Sequence, residues 1–396
     1  MHNFEYRNQT NVIFGKGTEQ KVGEEMARYA KHVLLHHSGG HPVRSGLIDT
    51  IKRSLEKAGV TWIELTGVQP NPRLSLVYTG IALAKKESVE AVLAVGGGSA
   101  IDSAKGIALG AVDDGDVWDF YEKIRVPLTA LPVATVLTIP AAGSESSISS
   151  VLTNEKGPWK KGVNYECIRP AFSILNPEFS YTLPPYQTAC GIADMLAHVM
   201  ERYFTAEQDH HVTDQLCEGT MRAIIHNGLT ICRGDGKDYH ARAEIMLAGT
   251  IAHNNMLSMG RPGDWASHLI EHTLSARYDI AHGAGLAIVF PAWMEYVIKR
   301  EAARGVNPAR FARFAAEVWG VDGAYYDCAQ AALDGAFRMR TFFQAIGLPV
   351  SFADAKLPVE HIEELAAQAV WNGPVGGYMA LDKSAVEAIL RSAAGI

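Results

Sequence analysis

The sequence has 396 residues, of which 47% are hydrophobic and 20% charged, with a formal net charge of −7. This composition is typical of a globular protein and excludes a disordered or collagen-like chain, and the length fits two domains. The acidic balance and the absence of a basic stripe argue against binding to nucleic acid or to an anionic membrane.

The cysteines and the N-terminus indicate a cytoplasmic location. The five cysteines are odd in number, are widely spread and form no CxxC pair, so neither a disulfide framework nor a thiolate zinc site is expected. The first residues lack the apolar core of a signal peptide, and no run approaches the roughly 18 apolar residues of a membrane span.

The first half of the chain alternates β-rich runs with helical patterns. The predicted strands are HVLLHH (32–37), VTWIEL (60–65), AVLAV (91–95) and the run around ALPVATVLTIP (130–140). The predicted helices are the amphipathic segments around 42–58, 72–88 and 99–111. This alternation predicts βαβ units and a mostly parallel sheet covered on both faces.

The pattern changes near residue 184. TLPPYQT (182–188) contains two prolines, which stop an extended run and suit the first turn of a helix. Beyond it, patterns rich in Ala, Leu, Met and Glu continue to Ile396. We therefore expect an α/β domain at 1–183 and an all-helical domain at 184–396.

A glycine loop follows the third predicted strand, in AVLAVGGGSAIDSAKGIALG (91–110). Glycines allow close approach of a ligand to the backbone, and the helix N-terminus favours an anion such as a pyrophosphate. A tight turn capped by Ser99 is the simpler alternative. The loop is neither a G-x-G-x-x-G fingerprint nor a Walker A loop.

A second polar turn, TIPAAGSESS (138–147), follows the next strand. Both turns would lie at the carboxyl edge of the sheet, where open α/β sheets bind ligands, which favours a phosphate-bearing cofactor. Neither turn contains the G-x-S-x-G of a hydrolase nucleophile elbow.

Histidines and a carboxylate recur at helical spacing in the second half. Asp194 and His198 share one helix face in GIADMLAHVME (191–201), as do His268 and His272, while His282 precedes Gly283. A carboxylate with two or three imidazoles suits Fe²⁺ or Zn²⁺. Unconnected core and surface histidines are the alternative.

A protease reading competes for the same residues. HLIEH (268–272) matches H-x-x-E-H, in which two histidines bind zinc and the glutamate, here Glu271, acts as a base. That reading leaves Asp194, His198 and both glycine loops unexplained.

Several motifs together resemble those of the iron-containing (group III) alcohol dehydrogenases, which share a fold with glycerol dehydrogenase and dehydroquinate synthase. The motifs run over nearly the whole chain: FGKG (14–17), PNP (70–72), GGGSAIDSAK (96–105), IPAAGSES (139–146), NPEFSYTLPP (176–185), GIADMLAHVME (191–201) and WASHLIEH…HG (265–283). The branch most similar is that of NADPH-dependent butanol dehydrogenases and broad-range aldehyde reductases.

The resemblance implies a Rossmann-like nucleotide-binding domain, a helical C-terminal domain and one divalent metal, Fe²⁺ or Zn²⁺. The implied metal ligands are Asp194, His198, His268 and His282, with His272 as a candidate proton relay beside them. The implied cofactor contacts are Asn71, Gly97, Gly98, Ser99, Asp102, Thr138, Ser144, Lys160 and Leu183. A homodimer is also expected from the resemblance.

The loop after the first Rossmann-like strand favours NADP(H), although NAD(H) is possible. NAD-preferring members carry there an Asp that would repel a 2′-phosphate, whereas this sequence has Gly39, with Ser38, His41 and Arg44 nearby. The predicted function is metal-dependent interconversion of alcohols and aldehydes by hydride transfer, with aldehyde reduction favoured. The alternative is a dehydroquinate synthase-like or glycerol dehydrogenase-like enzyme on the same fold.

Overall fold

The chain forms two compact units in a computed structural model that describes residues 1–157, 159–207, 210–323 and 327–396. One unit spans Arg7–Leu183, and the other combines Met1–Tyr6 with Pro184–Ile396. The N-terminal hexapeptide thus groups with the second unit, and the N–H of His2 donates to the carbonyl of Gly260 at 2.8 Å.

The first unit contains a six-stranded sheet in which every pairing is parallel. Its strands, in spatial order, are β1 (Asn11–Phe14), β8 (Phe172–Leu175), β5 (Val133–Leu137), β4 (Ala91–Gly96), β2 (His32–His37) and β3 (Thr61–Leu65). A separate antiparallel hairpin is made by β6 (Ser149–Asn154) and β7 (Trp159–Asn164). Strands β4 and β5 are buried at every residue, as expected for central parallel strands covered on both faces.

Within residues 7–157 and 159–183, six α-helices accompany the sheet. They are α1 (Val22–Met26), α2 (Gly40–Arg44), α3 (Leu47–Lys57), α4 (Leu74–Lys86), α5 (Gly98–Ala111) and α6 (Trp118–Tyr121). In α3, the buried residues Ile48, Ile51 and Leu55 recur at helical spacing and pack into a core with β2 and β4. Two predicted helices begin later than expected, at Leu47 and Leu74. The short α2 and a turn precede Leu47, and Arg73, which precedes Leu74, forms a β-bridge with Thr153.

The second unit is helical. Its helices are α7 (Pro185–Tyr203), α8 (His211–Arg233), α9 (Tyr239–His253), α10 (Ala266–Tyr278), α11 (His282–Ala303), α12 (Ala309–Trp319), α13 (Cys328–Ala345), α14 (Ile362–Ala369) and α15 (Lys383–Ala394). Pro185 occupies the first turn of α7, where its missing N–H costs no hydrogen bond. Buried aromatic rings tie the helices together, such as Phe204 and Phe311 with centroids 4.6 Å apart.

The architecture confirms the predicted fold class, an α/β domain with a parallel sheet followed by an all-α domain. The four predicted strands are present as β2, β3, β4 and β5. Strands β1 and β8 and the β6–β7 hairpin were not predicted. In the part of the chain that the structure describes, no helix has the length and apolar character needed to cross a membrane.

Candidate metal centre and nucleotide loops

Helix α7 carries the first two predicted ligands on one face. Asp194 and His198 are one turn apart, 7% and 5% exposed, and Asp194 Oδ1 lies 3.5 Å from His198 Nε2. This buried position shows that His198 is not one of the surface histidines that the alternative allowed.

Helices α10 and α11 bring the other two side chains to the same place. Ligand atoms of Asp194, His268 and His282 all lie within 4.8 Å of one another, and His282 Nε2 is 3.8 Å from Asp194 Oδ1. The His198 ring joins the group, with its centroid 4.6 Å from that of His268. The structure therefore brings together all four predicted ligands. That they bind a metal stays a prediction.

The two ring nitrogens of His268 have different surroundings, which show whether the site suits a metal ion. Its Nδ1 lies 2.7 Å from Glu201 Oε1, whereas its buried Nε2 has no hydrogen-bond partner among the described residues. A buried polar atom left unsatisfied costs about 1–3 kcal/mol. An imidazole with Nδ1–H bonded and Nε2 available is the usual form of a metal-binding histidine, so the residues fit a divalent ion.

The surroundings keep His198 neutral. Burial lowers its pKa well below the ordinary value of 6.5, and the neighbouring imidazoles of His253 and His268 and the guanidinium of Arg202 act in the same direction. The ring of His253 stacks on His198 with centroids 4.2 Å apart. Neutral imidazole is the form that binds metal ions.

His272 lies beside the cluster, as predicted, with its ring centroid 5.4 Å from that of His282. Glu271 is fully buried, and its Oε2 contacts His282 Nδ1. Because the Glu271 carboxylate is buried and contacts His282, it is not accessible as the base that the H-x-x-E-H protease hypothesis requires. The role of His272 as a proton relay stays a prediction.

The glycine loop joins β4 to α5 at the carboxyl edge of the sheet. A side chain at Gly97 would meet Ile139 Cβ at 2.8 Å, so this position requires glycine, whereas the space beside Gly98 is open. The cap of α5 is Gly97, with no side-chain capping bond, so Ser99 does not cap the helix as the simpler alternative held. A backbone with such open space at a helix N-terminus suits a phosphate.

Buried polar bonds hold the second turn against α5. Ser144 Oγ donates to Asp102 Oδ1 at 2.5 Å, and Asp102 Oδ2 accepts from the N–H of Val151 at 3.0 Å. Lys105, fully buried, donates to the carbonyls of Ser144 at 2.8 Å and Ser149 at 2.7 Å. Burial lowers the pKa of Lys105 to about 8. Lys105 was not among the predicted site residues.

Two more predicted cofactor residues, Asn71 and Lys160, contact each other, since Lys160 Nζ donates to Asn71 Oδ1 at 3.1 Å. Asn71 is buried with φ of 54°, the left-handed region that Asn tolerates. Thr138 directly follows β5, and its N–H donates to the carbonyl of Gly96 at 2.9 Å. Thr138 therefore lies beside the glycine loop.

The last two predicted cofactor residues are Gly39, after β2, and Leu183, at the end of the unit. Gly39 follows β2 with φ of 85°, and its N–H donates to His37 Nδ1 at 3.0 Å. Since His37 pairs with Val95 in the sheet, Gly39 lies at the same carboxyl edge as the glycine loop. Leu183 ends the unit, and its N–H bonds to the carbonyl of Ser180 at 3.3 Å, a bond that does not tie it to the loops.

Comparison with known families identifies the chain. Residues 9–177 match the model described as iron-containing alcohol dehydrogenase, and residues 188–394 match the C-terminal model of the same family. The chain belongs to the iron-containing alcohol dehydrogenase family. It is an NAD(P)-dependent, metal-dependent oxidoreductase that interconverts alcohols and aldehydes.

The names of similar proteins agree with this family assignment. The chain is 42% identical over 397 residues to the probable NADH-dependent butanol dehydrogenase 1 of Bacillus subtilis (strain 168), covering 99% of this chain and 100% of the relative. It is 33% identical to the NADPH-dependent aldehyde reductase of Escherichia coli (strain K12), covering 92% of each. The crystal structure of NADH-dependent butanol dehydrogenase A from Thermotoga maritima superposes with a TM-score of 0.94 at 40% identity, covering 100% and 99% of the two chains. The predicted alcohol dehydrogenase function is confirmed, and the dehydroquinate synthase-like or glycerol dehydrogenase-like alternative is not favoured.

Proposed function

We propose that the protein reduces aldehydes to alcohols with NADPH, using one divalent metal held by Asp194, His198, His268 and His282. The observation that carries the proposal is the convergence of the donor atoms of Asp194, His268 and His282 within 4.8 Å, with Asp194 and His268 buried and His282 partly buried. One carboxylate and three imidazoles accept Fe²⁺ or Zn²⁺. When bound, such an ion supplies Lewis acidity toward the substrate oxygen.

The chain's own residues provide the remaining chemistry. Asp194 adds one negative charge, which leaves the loaded site with net positive charge. His272 lies next to His282 and would supply the proton that completes the alcohol, directly or through water, since imidazole exchanges protons near neutral pH. The loops that carry Gly98 and Ser144 would bind the pyrophosphate of the cofactor.

The preference for NADP(H) rests on the loop after β2. No carboxylate occurs from Ser38 to Gly46, so nothing in this loop would repel a 2′-phosphate. The remaining cofactor contacts are proposed as predicted from the sequence: Asn71, Gly97, Ser99, Asp102, Thr138, Lys160 and Leu183. Relatives named for NADH and for NADPH both occur, which makes the coenzyme a direct question for experiment.

The test begins with the purified protein, NADPH and butanal. We expect NADPH oxidation that chelation abolishes and that Fe²⁺ or Zn²⁺ restores, with elemental analysis identifying the resident metal. Asp194→Ala and His268→Ala should lose bound metal and turnover together, whereas His226→Ala, which removes an exposed histidine of α8, should lose neither. Full metal-dependent turnover in Asp194→Ala would show that the ligand set is wrong.

We further propose a cytoplasmic homodimer. All five cysteines are free thiols in the structure, which suits a reducing compartment. Light scattering of the purified protein should give twice the mass of one chain; a monomer at micromolar concentration would contradict the dimer.

A further inference from the structure

Two histidines of the candidate metal centre are each followed, three residues later, by a glutamate. The pattern H-x-x-E occurs at His198 and Glu201 on α7 and again at His268 and Glu271 on α10. Both glutamates are fully buried, although carboxylates are rarely buried without a partner. In each case the partner is a histidine on the next of the three site-bearing helices.

Glu201 bonds to the beginning of α10. Its Oε1 accepts from His268 Nδ1 at 2.7 Å and from the His268 N–H at 3.0 Å, and its Oε2 accepts from the Trp265 N–H at 2.5 Å. One carboxylate therefore fixes both the ring and the backbone of His268. The opposite ring nitrogen, Nε2, is left facing the site without a hydrogen bond among the described residues.

Glu271 repeats the arrangement one helix later. Its Oε2 contacts Nδ1 of His282, the first residue of α11, and the hydroxyl of Ser275 lies 3.4 Å from the same oxygen. Gly285 packs against this carboxylate so closely that an added Cβ would lie 2.5 Å from Glu271 Oε1. The carboxylate is thus confined between two helices and directed at His282.

We propose that Glu201 and Glu271 are positioning residues, which hold His268 and His282 in the Nδ1–H tautomer and aim each Nε2 at the metal. The inference rests on the proposed metal site and extends it. A carboxylate that accepts from the far nitrogen of a metal-binding imidazole fixes the ring orientation and raises its basicity, and losing such a partner lowers metal affinity by roughly 10–100-fold. Neither glutamate is proposed to touch metal or substrate.

The test measures zinc affinity by chelator competition in the full-length chain. Glu201→Leu and Glu271→Leu should each weaken zinc binding by roughly 10–100-fold, and Glu201→Gln and Glu271→Gln by less, because an amide oxygen still accepts the Nδ1 hydrogen. The matched control is Glu218→Gln. Glu218 is also buried, but it bonds to Tyr203 and Arg313, so this variant should keep wild-type zinc affinity.

A spectroscopic signature separates positioning from general loss of structure. In ¹⁵N-histidine-labelled protein without metal, His268 and His282 should show a protonated Nδ1 and an unprotonated Nε2, and the Leu variants should show mixed tautomers. Gly285→Ala should reproduce the loss seen in Glu271→Leu. Gly219→Ala, at a helical position of α8 where an added Cβ would meet only the Arg222 side chain at 3.9 Å, should be silent.

The outcomes distinguish the two proposals. If the wild type binds no zinc, or binds zinc at a site that His268→Ala leaves intact, the proposed function itself is contradicted. Wild-type binding that persists unchanged in both Leu variants, or that falls equally in Glu218→Gln, would overturn only the positioning role.

Discussion

The ring of His253 stacks on that of His198 with centroids 4.2 Å apart and an interplanar angle of 28°. His253 is the last residue of α9 and is 8% exposed, so a fourth helix supports the histidine cluster. Trp265 meets the His198 ring edge-on from another side, at 5.8 Å. These aromatic contacts fix the plane of the His198 ring before any ion binds.

This stack predicts that His253→Ala weakens zinc binding by roughly 10-fold, because the His198 ring would gain rotational freedom. This is the lower end of the loss in metal affinity seen when a residue that contacts a metal ligand is replaced. His253→Phe keeps a flat ring and should retain most of the affinity. His240→Ala, at an exposed position on the same helix, is the control. Equal affinities in His253→Ala and the wild type would show that the stack is not needed.

The coenzyme prediction is tested at Gly39. Gly39→Asp places a carboxylate where the 2′-phosphate of NADPH is expected, so the ratio of kcat/KM for NADPH to that for NADH should fall by at least roughly 10-fold, a cost of about 1.4 kcal/mol. Any residue other than glycine is strained at φ of 85°. Gly39→Ala carries the same strain without the charge, and it should lower both activities without changing their ratio. An unchanged ratio in Gly39→Asp would show that the 2′-phosphate of NADPH does not bind next to residue 39.

The sequence predicted the fold to the extent that its signals were local. β2, β4 and β5 were found because continuous apolar runs stand between helical patterns. β1 and β8 were missed because each has only four residues, NVIF and FSIL, and such short runs have no distinctive periodicity.

The candidate site also combines features with a local sequence signal and features without one. The i, i+4 pair Asp194 and His198 is visible in one helix, whereas the contact of Glu201 with His268 joins residues 67 apart in sequence. The pattern H-x-x-E offered a signal for the glutamates, but not for which histidine each would meet. Pairing across helices depends on tertiary packing, which spacing within one helix does not encode.

His272 is predicted to act in proton transfer and not in metal binding. His272→Ala should keep bound zinc at the wild-type level and lower kcat by about 10²-fold, a typical effect of losing a general acid. The two readouts separate it from His268→Ala, which should lose both. Normal kcat across the pH range would exclude His272 from the relay.

The stability of the nucleotide-binding unit is predicted to depend on pH through His36. This side chain is fully buried in β2, with Nδ1 3.1 Å from the carbonyl of Leu65 and Nε2 2.9 Å from Ser103 Oγ. The neutral ring satisfies both partners, donating from Nδ1 and accepting at Nε2. Burial lowers the pKa of His36 from 6.5 to about 4.

Because the folded state resists protonation, the unfolded chain binds more protons between pH 6.5 and pH 4, and stability falls as the pH falls through that window. The His36 contribution is intact above pH 6.5, and about 3 kcal/mol is lost by pH 4. Urea unfolding of the wild type and His36→Gln at pH 7 and pH 4.5 measures it. The glutamine cannot titrate, so the wild type should lose about 2–3 kcal/mol more than the variant on acidification. Parallel losses in the two proteins would show that the pKa of His36 is the same in the folded and unfolded states.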